Sequence, residues 1–236
     1  MSGHSKWAKI RHQKATKDSR RGKAFSQHAK QIAVAARAGT DPEKNGALAL
    51  AIANAKKDNV PAANIERAIR TGAGLDKDAA TIEELSYEGY APGGIPLLVS
   101  VLTDNKNRAA ADIRHLFSKL GGSLGGPGSV AFLFERKGEV VCQAGVTEEE
   151  KLLELAAEIG AEDFEKEEEL ALFLFAPEDL AAGRAALEEK GKEIESATLV
   201  FRAKKPAEVD DAAREKAEKL AAALEDLEDV DAVAIG

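Results

Sequence analysis

Cysteine is nearly missing from this chain: Cys142 stands alone among 236 residues, beside one methionine, one tryptophan and two tyrosines. A single thiol excludes an internal disulfide and a thiolate-rich zinc site, and leaves Cys142 the role of a small buried hydrophobe. Long apolar runs are missing too. The longest, Ile95–Leu102 and Leu170–Ala176, fall far short of the ~20 residues that cross a bilayer, so neither a transmembrane helix nor a membrane partner is expected. The N-terminal MSGHSKWAKIRHQ is basic with no apolar stretch behind it, unlike a secretory signal, and a cytoplasmic protein is expected. His4, His12, His28 and His115 are scattered with no H-x-x-x-H spacing, and neither G-x-S-x-G nor G-x-x-x-x-G-K-[ST] occurs. No enzyme, metal site or cofactor is therefore expected. The carboxylates Glu165, Glu167, Glu168 and Glu169 read as a solvated strand edge that deters sheet-to-sheet pairing rather than as acid–base machinery.

What is present is the balance of a folded protein, 44% hydrophobic and 31% charged, in a length that suits about two domains. The net charge of −8 conceals a division. Up to Leu75 there are 15 Lys/Arg against 5 Asp/Glu, a net +10, so the remainder carries −18. A basic head on an acidic body marks a polyanion-binding end on a self-solvating protein.

Residues Ser5 to Lys23 hold eight basic side chains, one acid and only Trp7 and Ile10 as large apolar groups. With no face to bury, residues 1–23 are expected to be a flexible tail ordered by a partner. Phe25, Ala29, Ile32 and Ala36 then recur at helical spacing and predict a helix from Ala24 that stops at Gly39. Asp41-Pro42 is the expected start of a second helix, and Pro61 opens a third with Gly72 as its stop. Residues 24–75 thus read as a helical domain. Strands Ser86–Tyr90 and Ile95–Leu102 flank an APGG turn, a helix carries Ile113, Leu116, Phe117 and Leu120, and Val130, Phe132 and Phe134 alternate as a strand. Between Glu139 and Ser196, where 18 acids face 5 bases, the order is strand, helix (Thr147–Ile159), strand, strand, helix (Pro177–Lys190), strand (Thr198–Arg202): a ferredoxin-like module. A last helix (Glu208–Leu227) and strand (Asp231–Ile235) supply what the earlier β-β-α-β unit lacks. The fold class expected is α+β multidomain: a helical bundle followed by two α/β, ferredoxin-like modules, the second inserted into the first. The domains run 1–23, 24–75, 82–138 with 203–236, and 139–202.

The basic tail is the informative constellation. Lys6, Lys9, Arg11, Lys14, Lys17, Arg20, Arg21 and Lys23 neutralise phosphates with release of counterions, and Trp7 and His12 offer flat surfaces to an unstacked base. Lys56, Lys57, Arg67 and Arg70 extend the track on neighbouring helices. In TDNKNR, Asn105 or Asn107 reads as a helix cap, with Lys106 and Arg108 as further polar contacts. Five glycines in Gly121–Gly128 suit either a tight helix-to-strand crossing or a backbone nest around an anion.

The blocks GHSKWAKIRHQKA, RGKAFSQHAKQI, NVPAANIERAI, YEGYAPGGI, TDNKNR and GGPGSVAFLFERKG resemble the YebC/PmpR family, the translational activators of cytochrome oxidase. The resemblance covers nearly the whole chain. It implies three domains, an N-terminal helical one and two α/β ones, and no enzymatic activity. It implies nucleic acid as partner through the tail residues Lys6 to Lys23, and two roles described for the family: DNA-binding transcriptional regulator, or ribosome-associated translation factor that eases stalling at proline runs. No helix-turn-helix with a polar, base-reading helix is evident, and a pliant tail suits irregular RNA better than a groove. The leading expectation is therefore rRNA of the large ribosomal subunit, with duplex DNA as the alternative. A third reading is an acidic protein-interaction adaptor, the partner of the acidic module being left open.

Overall fold

The computed structural model describes residues 19–76, 79–145 and 148–236. Among them are seven helices and eight strands, in two compact units: the chain up to Glu135 together with Arg202–Gly236, and Arg136–Phe201.

The first three helices, α1 (Ser19–Ala36), α2 (Gly46–Lys57) and α3 (Ala62–Gly72), close on a small core of Ile32, Leu48 and Ile65 with Ala36, Ala55 and Ala68. α1 begins at Ser19, upstream of the expected Ala24, so the proposed tail overlaps it over residues 19–23. One long basic side chain there finds a partner along the helix: the Arg21 guanidinium sits over the Phe25 ring one turn on, 5.4 Å from its centroid. α2 starts after Asn45 rather than at Asp41-Pro42. Asp41 closes only a local turn, accepting from the Glu43 and Lys44 amides, whereas the Asn45 side chain accepts from Leu48 N at 3.1 Å and donates to the carbonyls of Ala35 and Gly39 at 2.8 Å each. One amide thereby caps the start of α2 and the end of α1. α3 ends at Gly72, as expected, and Gly72 has a second role. It is the crossing point with α1, where a Cβ would stand 2.1 Å from the Ala33 carbonyl oxygen, and Gly74 takes the left-handed φ of +69° beyond it.

The chain then enters an antiparallel sheet of β1 (Glu83–Ala91), β2 (Ile95–Thr103), β3 (Ser123–Leu124) and β8 (Val230–Ile235), in the order β3-β1-β2-β8. β2 buries nearly every residue, as a central strand must. Its Ile95, Leu97, Val99 and Val101 pack beneath α4 (Lys106–Lys119) and α7 (Asp211–Glu225), against Ile113, Phe117 and Leu220. Asn105 caps α4, accepting from Arg108 N at 3.1 Å.

The strand expected at Val130–Phe134 does not form. Glu88 of β1 is the reason: its buried carboxylate accepts from the amides of Gly128 (2.6 Å), Val130 (2.7 Å) and Ala131 (2.7 Å). These donors are unavailable to a sheet ladder, and Ala131–Leu133 turns as a single 3-10 segment instead. The edge strand of this sheet comes from inside the glycine-rich run, at Ser123–Leu124. Both readings of that run therefore meet here. A Cβ at Gly122 would crowd Leu220 at 2.8 Å and the Tyr90 carbonyl oxygen at 2.9 Å, and the anion in the amide nest is the protein's own Glu88.

The second unit contains β4 (Phe134–Gln143), α5 (Glu149–Ile159), β5 (Asp163–Glu167), β6 (Leu170–Phe175), α6 (Leu180–Glu189) and β7 (Ile194–Ala203), with the sheet order β5-β6-β4-β7. This βαββαβ order is the ferredoxin-like arrangement, inserted between β3 and α7. The expected start of α5 at Thr147 lies outside the described residues. Pro177–Asp179 forms a 3-10 turn ahead of α6, and β7 begins at Ile194 rather than Thr198 because its first half pairs back on β4, Gln143 N donating to the Glu193 carbonyl at 2.9 Å. β4 and β7 each run through the point where one unit gives way to the other.

Candidate nucleic-acid interface

α1 has two working faces. Phe25, Ala29, Ile32 and Ala36 enter the bundle, while Lys23, Ser26, Gln27, Lys30 and Gln31 recur at i, i+3, i+4, i+7 and i+8 and form a polar stripe on the opposite side. That stripe grips the turn between α7 and β8. Lys23 Nζ donates to the Glu225 carbonyl at the C-terminal end of α7, where the helix dipole favours a cation. Ser26 meets Glu228 at 3.4 Å, Gln27 donates to the Val230 carbonyl at 2.7 Å, and Gln31 donates to Asp231 at 2.7 Å.

Asp229 is the centre of this contact. Its carboxylate, 5% exposed, accepts from Lys30 Nζ at 2.8 Å and from Arg108 Nε and Nη2 at 2.9 Å each. Burial alone would push this carboxyl up, but the hydrogen bonds from Lys30 and Arg108 outweigh it and hold it below its ordinary value. Arg108 also reaches Asp104 at 2.8 Å and, held by Asp104 and Asp229, is kept still more firmly protonated. One acid thus joins the helical bundle, the start of α4 and the α7–β8 turn.

Lys6, Trp7, Lys9, Arg11, His12, Lys14 and Lys17 lie outside the described residues; Arg20 is in the first turn of α1. Arg21 is exposed, stacked on Phe25, and Lys23 is engaged with Glu225. Lys56 and Lys57 stand exposed in the last turn of α2. Arg67 and Arg70 project from α3 on the side away from Ile65 and Ala68. Lys106 pairs with Glu83 at 3.5 Å, and Arg108 is committed to Asp229 and Asp104. The bundle bases therefore face solvent, whereas the TDNKNR bases serve contacts within the protein. The sequence reading missed the polar stripe of α1 and its target. The signal was present as five acids in Glu225–Asp231 opposite a Lys/Gln face with helical period. Among the described residues no cluster of His, Cys, Asp and Glu is placed to hold a metal ion, and no helix is long and apolar enough to cross a membrane.

Known proteins resemble this chain along nearly its whole length. The TACO1/YebC N-terminal domain matches residues 5–75, and the TACO1/YebC second and third domain matches residues 82–235. A probable transcriptional regulatory protein of Rubrobacter xylanophilus is 47% identical over 234 residues, covering 99% of this chain and 94% of the relative. One of Aquifex aeolicus is 46% identical over 235 residues, with 99% and 94% covered. The crystal structure of a conserved hypothetical protein from Aquifex aeolicus matches with a TM-score of 0.87 at 44% identity, over 94% of this chain and 91% of that one.

Proposed function

Since the chain belongs to the TACO1/YebC family, we propose that it is a nucleic-acid-binding regulatory factor, that its physiological partner is rRNA of the large ribosomal subunit, and that it eases peptide-bond formation at proline runs. The observation that carries this reading is the segregation of charge: a net +10 up to Leu75 against −18 beyond it. The basic segment Lys6–Lys17 continues directly into α1, and α1 is tied by Lys30 and Gln31 to Asp229 and Asp231. The helix that follows this segment in sequence is thus held in one orientation. At ~3.3 Å per extended residue, a segment the length of Lys6–Lys17 would span about 40 Å, enough to follow a phosphate-lined cavity from a docked domain. Proline's ring fixes φ and leaves a secondary amine, so consecutive prolines are hard to align for attack, and orientation of reactants is worth several kcal/mol of barrier. A factor that restores alignment needs no catalytic side chain of its own.

The name shared by the bacterial relatives, probable transcriptional regulatory protein, favours a second reading, duplex DNA as the partner. Both readings are tested by measuring affinity for ribosomal subunits and for promoter duplexes at matched salt, with the full chain and with Lys6, Lys9, Arg11, Lys14 and Lys17 changed to Gln. We expect subunit binding whose logarithm falls with log salt, and a slope flatter by roughly 0.7–0.9 for each base removed. In a purified translation system the full chain should raise yield selectively on messages with a proline run. Sequence-specific duplex binding without that gain would give the place to the second reading.

A further inference from the structure

Phe132 is out of keeping with its surroundings. Phe117, Phe134, Phe173 and Phe175 are at most 4% exposed, whereas Phe132 is 63% exposed, although Val130 and Phe134 on either side are buried. The turn that carries it is not slack. Glu88 holds the amides of Gly128, Val130 and Ala131, Tyr90 Oη donates to the Ser129 carbonyl at 3.0 Å, and Lys204 N donates to the Leu133 carbonyl at 2.9 Å. These bonds hold the backbone of the turn, so the ring is presented to solvent from a segment with little backbone entropy left to lose on contact.

The groups beside it define what it fits. Lys204 Nζ donates to the carbonyl of Phe132 itself at 2.9 Å, which fixes an ammonium on the backbone of the residue that carries the ring and leaves two of its three donors unused by that bond. Lys205 follows, 84% exposed, with only a 3.9 Å approach to Glu208. The preceding Gly126, Pro127 and Gly128 are exposed and small, leaving room on the approach. An apolar pocket on a protein partner would desolvate these two cations without compensation. A single-stranded nucleic acid answers all of it: a base offers a π-face to the ring and its phosphate meets the ammonium groups.

We propose that the Phe132 turn is a second nucleic-acid contact, in which Phe132 stacks on an unpaired base while Lys204 and Lys205 hold an adjacent phosphate. This rests on the reading of the partner as nucleic acid. The test uses the full chain and a single-stranded RNA carrying 2-aminopurine, whose fluorescence is quenched on stacking. Phe132→Ala should lose most of the quench and bind about tenfold more weakly with an unchanged salt slope, and Phe132→Trp should retain both quench and affinity. Lys204→Gln with Lys205→Gln should flatten the slope by roughly 0.7, the value of one phosphate on a single strand. If Phe132→Ala quenches and binds as the unaltered chain does while neutralising Lys6–Lys17 abolishes binding, the nucleic-acid reading stands and this contact is overturned, leaving the ring to a protein partner. If the unaltered chain binds neither RNA nor duplex DNA, the underlying reading fails and the contact falls with it.

Discussion

In the bundle of α1–α3 the buried side chains are small: Ala33, Ala36, Ala55 and Ala68 stand beside Ile32, Leu48 and Ile65. Beneath β2 the corresponding set is Ile95, Leu97, Val99, Val101, Ile113, Phe117 and Leu220. Fully burying one of these larger side chains stabilises by about 1.5–3 kcal/mol, several times what an alanine methyl supplies. The bundle makes up part of the difference with directed polar bonds, from Asn45 within and from the Lys23–Gln31 stripe to the α7–β8 turn. The two regions share one compact unit but differ in what holds them: apolar volume under the sheet, close helix approach and charge in the bundle.

Several substitutions sharpen that contrast. Phe117→Ala should be the most damaging, at about 3–5 kcal/mol, because a fully buried ring leaves a cavity between β2, α4 and α7; urea unfolding should show loss of the whole first unit. Asp229→Ala should cost about 2–3 kcal/mol, less than the full penalty for breaking a buried pair since Arg108 remains half exposed. Its signature should be local, with amide exchange accelerating in α1 while β1 and β2 stay protected. Equal acceleration in both would erase the distinction drawn between the regions. Gly72→Ala should cost about 1–3 kcal/mol through the clash with the Ala33 carbonyl, again confined to the bundle. Phe132→Ala should change stability by under about 0.5 kcal/mol, as its ring is not part of either core.

Acid should separate the regions as well. Burial would push up the carboxyls of Asp229 and Glu88, but hydrogen bonds from Lys30 and Arg108 in one case, and from the Val130, Gly128 and Ala131 amides in the other, leave both below their ordinary values. A depressed folded pKa contributes stability above the unfolded carboxyl range near pH ~4, lost as pH falls through the lower folded value. Asp229→Asn should therefore flatten the stability profile below about pH 5 and leave it nearly unchanged at neutrality in shape, though lower in level. A profile as steep as that of the unaltered chain would assign the acid sensitivity elsewhere.

Local pattern and composition determined a great deal. Apolar period, with proline, glycine and cap residues as punctuation, identified three bundle helices, the hairpin, α4 and the βαββαβ order of the insert, because each buries one face and that face is written at 3.6 or 2 residues. The charge division and the resemblance to one family were equally plain along the chain. What the tertiary structure decided were the places where a distant partner outbids the local signal. Val130–Phe134 alternates like a strand, yet Glu88, some forty residues away, takes its amides. Asp41-Pro42 has the chemistry of a helix start, but Asn45 alone can cap two helices at once. Lys23 and Arg108 look like a partner's contacts until Glu225 and Asp229, brought close by the packing of α7 and β8, occupy them. Period reports which face a residue presents; which atom waits on the other side depends on closures spanning ten to two hundred residues, and only the folded chain makes them.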